Sequence, residues 1–89
     1  MTHDDTELVA IGLRRGDTVR FRRSADEHWK EASVMRRERD GSIGLRDDNG
    51  ASRAIAMDLI EVRTAGPRGG VVWESLVERA RRSEQLRLL

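Results

Sequence analysis

Residues 40–50 read DGSIGLRDDNG, in which two tight-turn signals, Asp40-Gly41 and Asn49-Gly50, bracket a short alternating run. Glycine reaches the positive φ that a close strand-to-strand turn demands, and Asp or Asn before it tolerates the same region. Between the turns Ile43 and Leu45 fall on one side and Gly44 and Arg46 on the other. That is the period of a strand with one buried face. Two such turns about nine residues apart predict a meander of short strands, the pattern that closes into a small barrel.

The same alternation extends in both directions. Upstream, Thr18-Val19-Arg20-Phe21-Arg22 sets Val19 and Phe21 against Arg20 and Arg22 and reads as a first strand. A polar turn, Ser24 to His28, leads into a long second strand, Trp29 to Glu38. Its expected inward residues, Trp29, Ala32 and Val34, do not share one alternation, so a bulge near Glu31 is required. Downstream come Ala51 to Met57 with Ile55 inward, a tight turn at Asp58-Leu59, and a last strand, Ile60 to Arg63. The prediction is a mainly β, five-stranded small barrel over residues 8–65. Its interior is filled by Val19, Phe21, Ala32, Val34, Ile43, Leu45 and Ile55.

The ends read differently. Residues 1–7 are charged and predict a disordered acidic tail. Leu8 to Leu13 is too short an apolar run for periodicity to decide between a strand and a turn of helix covering one barrel end. Residues 66–70, Gly-Pro-Arg-Gly-Gly, break the pattern and read as a hinge. Beyond it Val72, Trp73, Leu76, Val77 and Ala80 fall on one helical face, which predicts an amphipathic C-terminal helix over 71–89 packed on the barrel. Glu78 and Arg82 have the spacing of a helical ion pair.

Composition bounds the function. With 89 residues, 37% apolar and 37% charged, the chain is one domain with a small core and an ionic surface. It has no cysteine, which excludes a disulfide framework and thiolate-bound zinc. The acidic start, Met-Thr-His-Asp-Asp-Thr-Glu, is unlike a secretory signal, and no apolar run nears the roughly 20 residues of a membrane span, so a cytoplasmic protein is expected. His3 and His28 are the only histidines, with no partner pattern for nucleophilic or zinc chemistry. Read as a calcium loop around Gly50, Asp47-Asp48-Asn49-Gly50 would put Leu45 and Ala56 where carboxylates are required. No catalytic residue, metal ligand, cofactor or small-molecule substrate is expected, and the chain reads as a non-enzyme.

Residues 16–63 resemble a Tudor-like domain of the Src-homology-3-like small barrels. The matching positions are Gly16-Asp17-Thr18-Val19, Trp29-Lys30-Glu31-Ala32-Ser33-Val34, Asp40-Gly41, Asp47-Asp48-Asn49-Gly50 and Leu59-Ile60-Glu61-Val62. The resemblance covers about half the chain and implies fold rather than ligand. Tudor domains that read methylated side chains use a cage of aromatic rings. Here Phe21, Trp29 and Trp73 are the only aromatics, and Asp48 stands where such readers place a ring. No cage is expected.

What remains is surface. Residues 14–23 carry Arg14, Arg15, Arg20, Arg22 and Arg23 against Asp17, a local charge of +4 in a chain of net +1. Arg36, Arg37 and Arg39 extend this into a basic stripe if the second strand lies beside the first. These eight arginines are the candidate nucleic-acid-binding residues of a non-catalytic binding module expected to hold nucleic acid or a nucleic-acid-associated protein, since Arg neutralises phosphate at any sequence. The alternative is a protein–protein adaptor in which the C-terminal helix, with Leu86, Leu88 and Leu89, meets a partner. The expected state is a monomer or weak homodimer.

Overall fold

The alternation of Val19 and Phe21 with Thr18 and Arg20 builds the strand on which the sheet is centred. The structure is a computed structural model that describes residues 5–87. In chain order it contains α1 (Thr6–Ala10), β1 (Thr18–Phe21), β2 (Lys30–Arg37), β3 (Ile43–Asp47) and β4 (Ser52–Ile55), then a single 3-10 turn (Met57–Leu59), β5 (Ile60–Ala65), β6 (Val71–Ser75) and α2 (Leu76–Arg87). All strand pairings are antiparallel, in the order β4-β3-β2-β1-β5-β6. The chain is therefore a mainly β domain with a C-terminal helix.

Three expectations need correction. The sheet has six strands, not five, and β4 and β6 are its edges, so hydrogen bonding does not close it into a barrel. The sixth strand comes from the start of the segment read as helix: Val71–Ser75 pairs with β5, and α2 begins only at Leu76. Val71, Val72 and Trp73 are residues that favour strands, and an available β5 edge decides the matter. The hinge at 66–70 is the hairpin turn joining β5 to β6, held by Gly66 N–H to the Gly70 carbonyl at 2.6 Å and Gly69 N–H to the Gly66 carbonyl at 3.0 Å.

Leu8 to Leu13 settles as helix. Leu8 and Ile11, one helical turn apart, are both buried, and Leu13 follows through Gly12 at φ +79°. Of the segment read as a tail, Thr6 and Glu7 start this helix, and residues 1–4 lie outside the described residues. The seven expected core residues are all 5% exposed or less, and they pack with Leu8, Ile11, Leu13, Ile60, Val62 and Leu76. Trp29 is not among them. Ala32 and Val34 alternate regularly along β2, and the bulge falls at Met35, between Val34 and Arg36, rather than near Glu31.

The hairpins form where the glycines place them, with Gly41 at φ +89° and Gly50 at φ +82°. Asp47 carries the second one: its Oδ1 accepts from Asn49 N–H at 2.9 Å and Ala51 N–H at 3.0 Å, and its Oδ2 accepts from Arg53 Nε at 2.9 Å. Arg53 first, then these backbone donors, holds the Asp47 carboxyl below its ordinary value of 3.8. Asp40 is lowered likewise, chiefly by the Ser42 hydroxyl at 2.6 Å and then by the Ser42 amide.

Leu76, 0% exposed, joins β6 and α2 to the core. Leu76→Ala is expected to cost about 2–5 kcal/mol in denaturant unfolding; a loss under about 1 kcal/mol would show that α2 is not part of the cooperative unit. A carboxyl lowered by folding contributes stability above its unfolded value, and that contribution disappears as pH falls through the folded value. Asp47→Ala should therefore be less stable than the parent at pH 7, with the two melting curves converging as pH drops below 3.8. A gap independent of pH would contradict this.

Candidate functional site

The alternation that sends Val19 and Phe21 inward sends Arg20 out onto the opposite face of the sheet. There its direct neighbours are Glu31 on β2 and Glu61 on β5. Arg20 donates from Nε at 2.8 Å and Nη2 at 2.5 Å to one oxygen, Oε1 of Glu61. Both side chains are about three-quarters covered, 25% and 29% exposed.

The cover is aromatic. The Arg20 guanidinium carbon lies 4.2 Å from the Trp29 ring centroid and 4.6 Å from that of Trp73. Trp29 immediately precedes β2, and Lys30 pairs with Phe21, so the indole arrives beside the end of β1. Trp73 arrives from β6. It pairs with Arg63, two residues along β5 from Glu61, and reaches Arg20 diagonally, as a long side chain can. Arg22 stacks on Trp29 as well, its guanidinium carbon 4.2 Å from the centroid, and donates to the Ala25 carbonyl at 3.2 Å. A groove of about 270 Å³ opens next to this cluster, lined by Arg22, Arg23, Trp29, Asp58, Glu61 and Ser75.

Two readings of the aromatics are thereby overturned. The sequence places Trp29 in the interior and Trp73 on a helical face; both instead flank the same cation on the outer face of the sheet. The space between the indoles is taken by the chain's own Arg20. Only strand register across β2, β1, β5 and β6 brings the rings together, and local periodicity carries no information about it.

The basic stripe does not form. Arg20 and Arg22 lie together with Arg23 beside them on the groove, but Arg36, Arg37 and Arg39 are at the other end of β2. At about 3.3 Å per residue the seven residues from Trp29 to Arg36 span roughly 23 Å. Past the bulge Arg37 turns to the helical side, where it lines a separate cavity with Ala10, Met57, Val77, Ala80 and Glu84. Arg36 is paired to Glu38 at 2.7 Å, and Arg39 is exposed in the β2–β3 connection. Arg15 is paired to Asp5 at 2.9 Å, and the Arg14 amide donates to Asp17. One further cation joins the face unannounced: Arg63, exposed and directly opposite Trp73. The alternation Ile60-Glu61-Val62-Arg63 already carried that signal.

The adaptor candidates fare unevenly. Leu86 is 69% exposed near the end of α2, and Leu88 and Leu89 lie outside the described residues. The expected Glu78–Arg82 pair is replaced by Glu78 with Arg81 at 3.3 Å and Arg82 with Glu74 at 2.6 Å. Among the described residues no group of three His, Cys, Asp or Glu is placed to hold a metal ion. None of their helices is long and apolar enough to cross a membrane. No protein-family model matches the chain, and neither a curated protein nor a solved structure matches it significantly.

Arg20→Met keeps the apolar stem and removes the charge. The change is expected to cost about 1–3 kcal/mol, from two cation–π contacts of about 0.5–1 kcal/mol each and a partly covered ion pair of at most about 1 kcal/mol. It should also alter the tryptophan emission spectrum. Unchanged stability and emission together would mean that the cluster does not exist in solution.

Proposed function

We propose that this chain is a non-catalytic, cytoplasmic binding module that holds single-stranded nucleic acid on the face formed by Arg20, Arg22, Arg63, Trp29 and Trp73. The observation that carries the reading is the convergence of both tryptophans and these arginines on one face of the sheet. Arginine neutralises phosphates whatever the sequence; Trp29 already carries both Arg20 and Arg22, so stacking of an unpaired base, at about 1–3 kcal/mol per base, falls to Trp73, which meets Arg20 alone. A net charge of +1 is compatible with this, because Arg22, Arg23 and Arg63 stand beside the rings with no ion pair among the described residues. We read the fold as an open variant of the Src-homology-3-like, Tudor-like small barrel. Support comes from β1 pairing with both β2 and β5 over the apolar core, and from the quoted motifs at residues 16–63.

The chain has two tryptophans and no tyrosine, so its intrinsic fluorescence reports on this face alone. Titration with a twelve-residue oligo-dT should quench it. Two to three phosphate contacts, at a slope of about −0.7 each for single strands, weaken binding roughly tenfold between 50 and 200 mM salt. Arg20→Glu with Arg22→Glu should abolish the signal, and duplex of equal length should bind less tightly. Absence of quenching, or an affinity indifferent to salt, would overturn the reading.

A further inference from the structure

We infer that Glu61 is an internal competitor for the ligand's phosphate, holding Arg20 in a self-paired state that binding must break. The inference rests on the nucleic-acid reading of the same face and adds how its affinity is limited. The cations of that face are not equally available. Arg22, Arg23 and Arg63 make no ion pair among the described residues, whereas Arg20 spends two donors on Glu61 Oε1.

The donors committed to Glu61, Nε and one terminal nitrogen, form the edge of the guanidinium that suits a phosphate as well as a carboxylate. Trp29 and Trp73 contact the same group, so releasing Glu61 leaves it positioned. Glu61 also lines the groove that Arg22 and Arg23 border, where it repels an incoming phosphate. The arriving strand is therefore met first by Arg22, Arg23 and Arg63. Arg20 becomes a contact only when phosphate replaces the carboxylate.

The test is oligo-dT titration of the full chain and Glu61→Gln, read by tryptophan fluorescence, with Glu74→Gln as control. Glu74 sits on the same sheet, paired with Arg82 at 2.6 Å, so its neutralisation changes net charge equally without touching Arg20. Glu61→Gln should bind about tenfold more tightly at 50 mM salt, the effect of one freed charge-assisted contact. Its salt dependence should steepen by about 0.7, one further phosphate. Glu74→Gln should bind like the parent. Should Glu61→Gln fail to fold, Glu61→Thr, which suits a strand, replaces it. Equal tightening in both variants would assign the effect to bulk charge and overturn the inference. Parent binding with no gain on losing Glu61 would overturn it while leaving the proposed function standing. No binding by any variant would remove both.

Discussion

β1 is hydrogen-bonded along both edges, to β2 and to β5, and this two-sided pairing fixes what faces the core and what faces water. A strand of four residues held in this way cannot slip by one position without exchanging its faces. Val19 and Phe21 would then be exposed, and Thr18 and Arg20 would enter the apolar interior. A chain with 37% apolar residues has little core to spare, so the correct register is strongly favoured. The outward position of Arg20 is thus a consequence of core burial. The tryptophan cluster assembles around a side chain whose direction the hydrophobic effect has already set.

From that strand outward, the sheet shares its charges unequally. Several arginines are neutralised locally: Arg15 by Asp5, Arg36 by Glu38, Arg53 by Asp47 and Arg82 by Glu74. Such surface pairs contribute little stability, with Asp47 the exception because it also caps a hairpin. Arg22, Arg23 and Arg63, which have no carboxylate partner among the described residues, lie near the indoles. A modest net charge therefore coexists with a local surface suited to phosphate and base. Arg20 belongs to that surface while remaining bound to Glu61.

Much of the fold was legible because it rests on local chemistry. Asp40-Gly41 and Asn49-Gly50 announced their hairpins, and period-two alternation identified the seven core side chains from Val19 to Ile55. The misreadings have physical causes. Val72, Trp73, Leu76 and Val77 satisfy a helical spacing, but the first two belong to β6 because β5 offers an unpaired edge. Ser75, three residues before Glu78, was the missed boundary signal, and its hydroxyl accepts a long 3.4 Å hydrogen bond from the Glu78 amide. Trp29 reads as core because large aromatics are usually buried, yet it stacks with Arg20 and Arg22 on the outer face. The site itself was only half legible. Arg20 and Arg22 could be placed on one face, but the meeting of Trp29 and Trp73 depends on the register of strands distant in sequence.

A side-chain nitrogen–proton correlation spectrum of the arginines, recorded with and without oligo-dT, interrogates the central cluster most directly. The Arg20 Nε–H resonance should stand apart from those of the exposed arginines, shifted by the two rings and slowed in exchange by Glu61. Added strand should perturb Arg20, Arg22 and both indole N–H signals, leaving Arg36 and Arg39 in place. An Arg20 resonance among those of the exposed arginines, or perturbations centred on Arg36 and Arg39, would contradict the cluster and the role assigned to it.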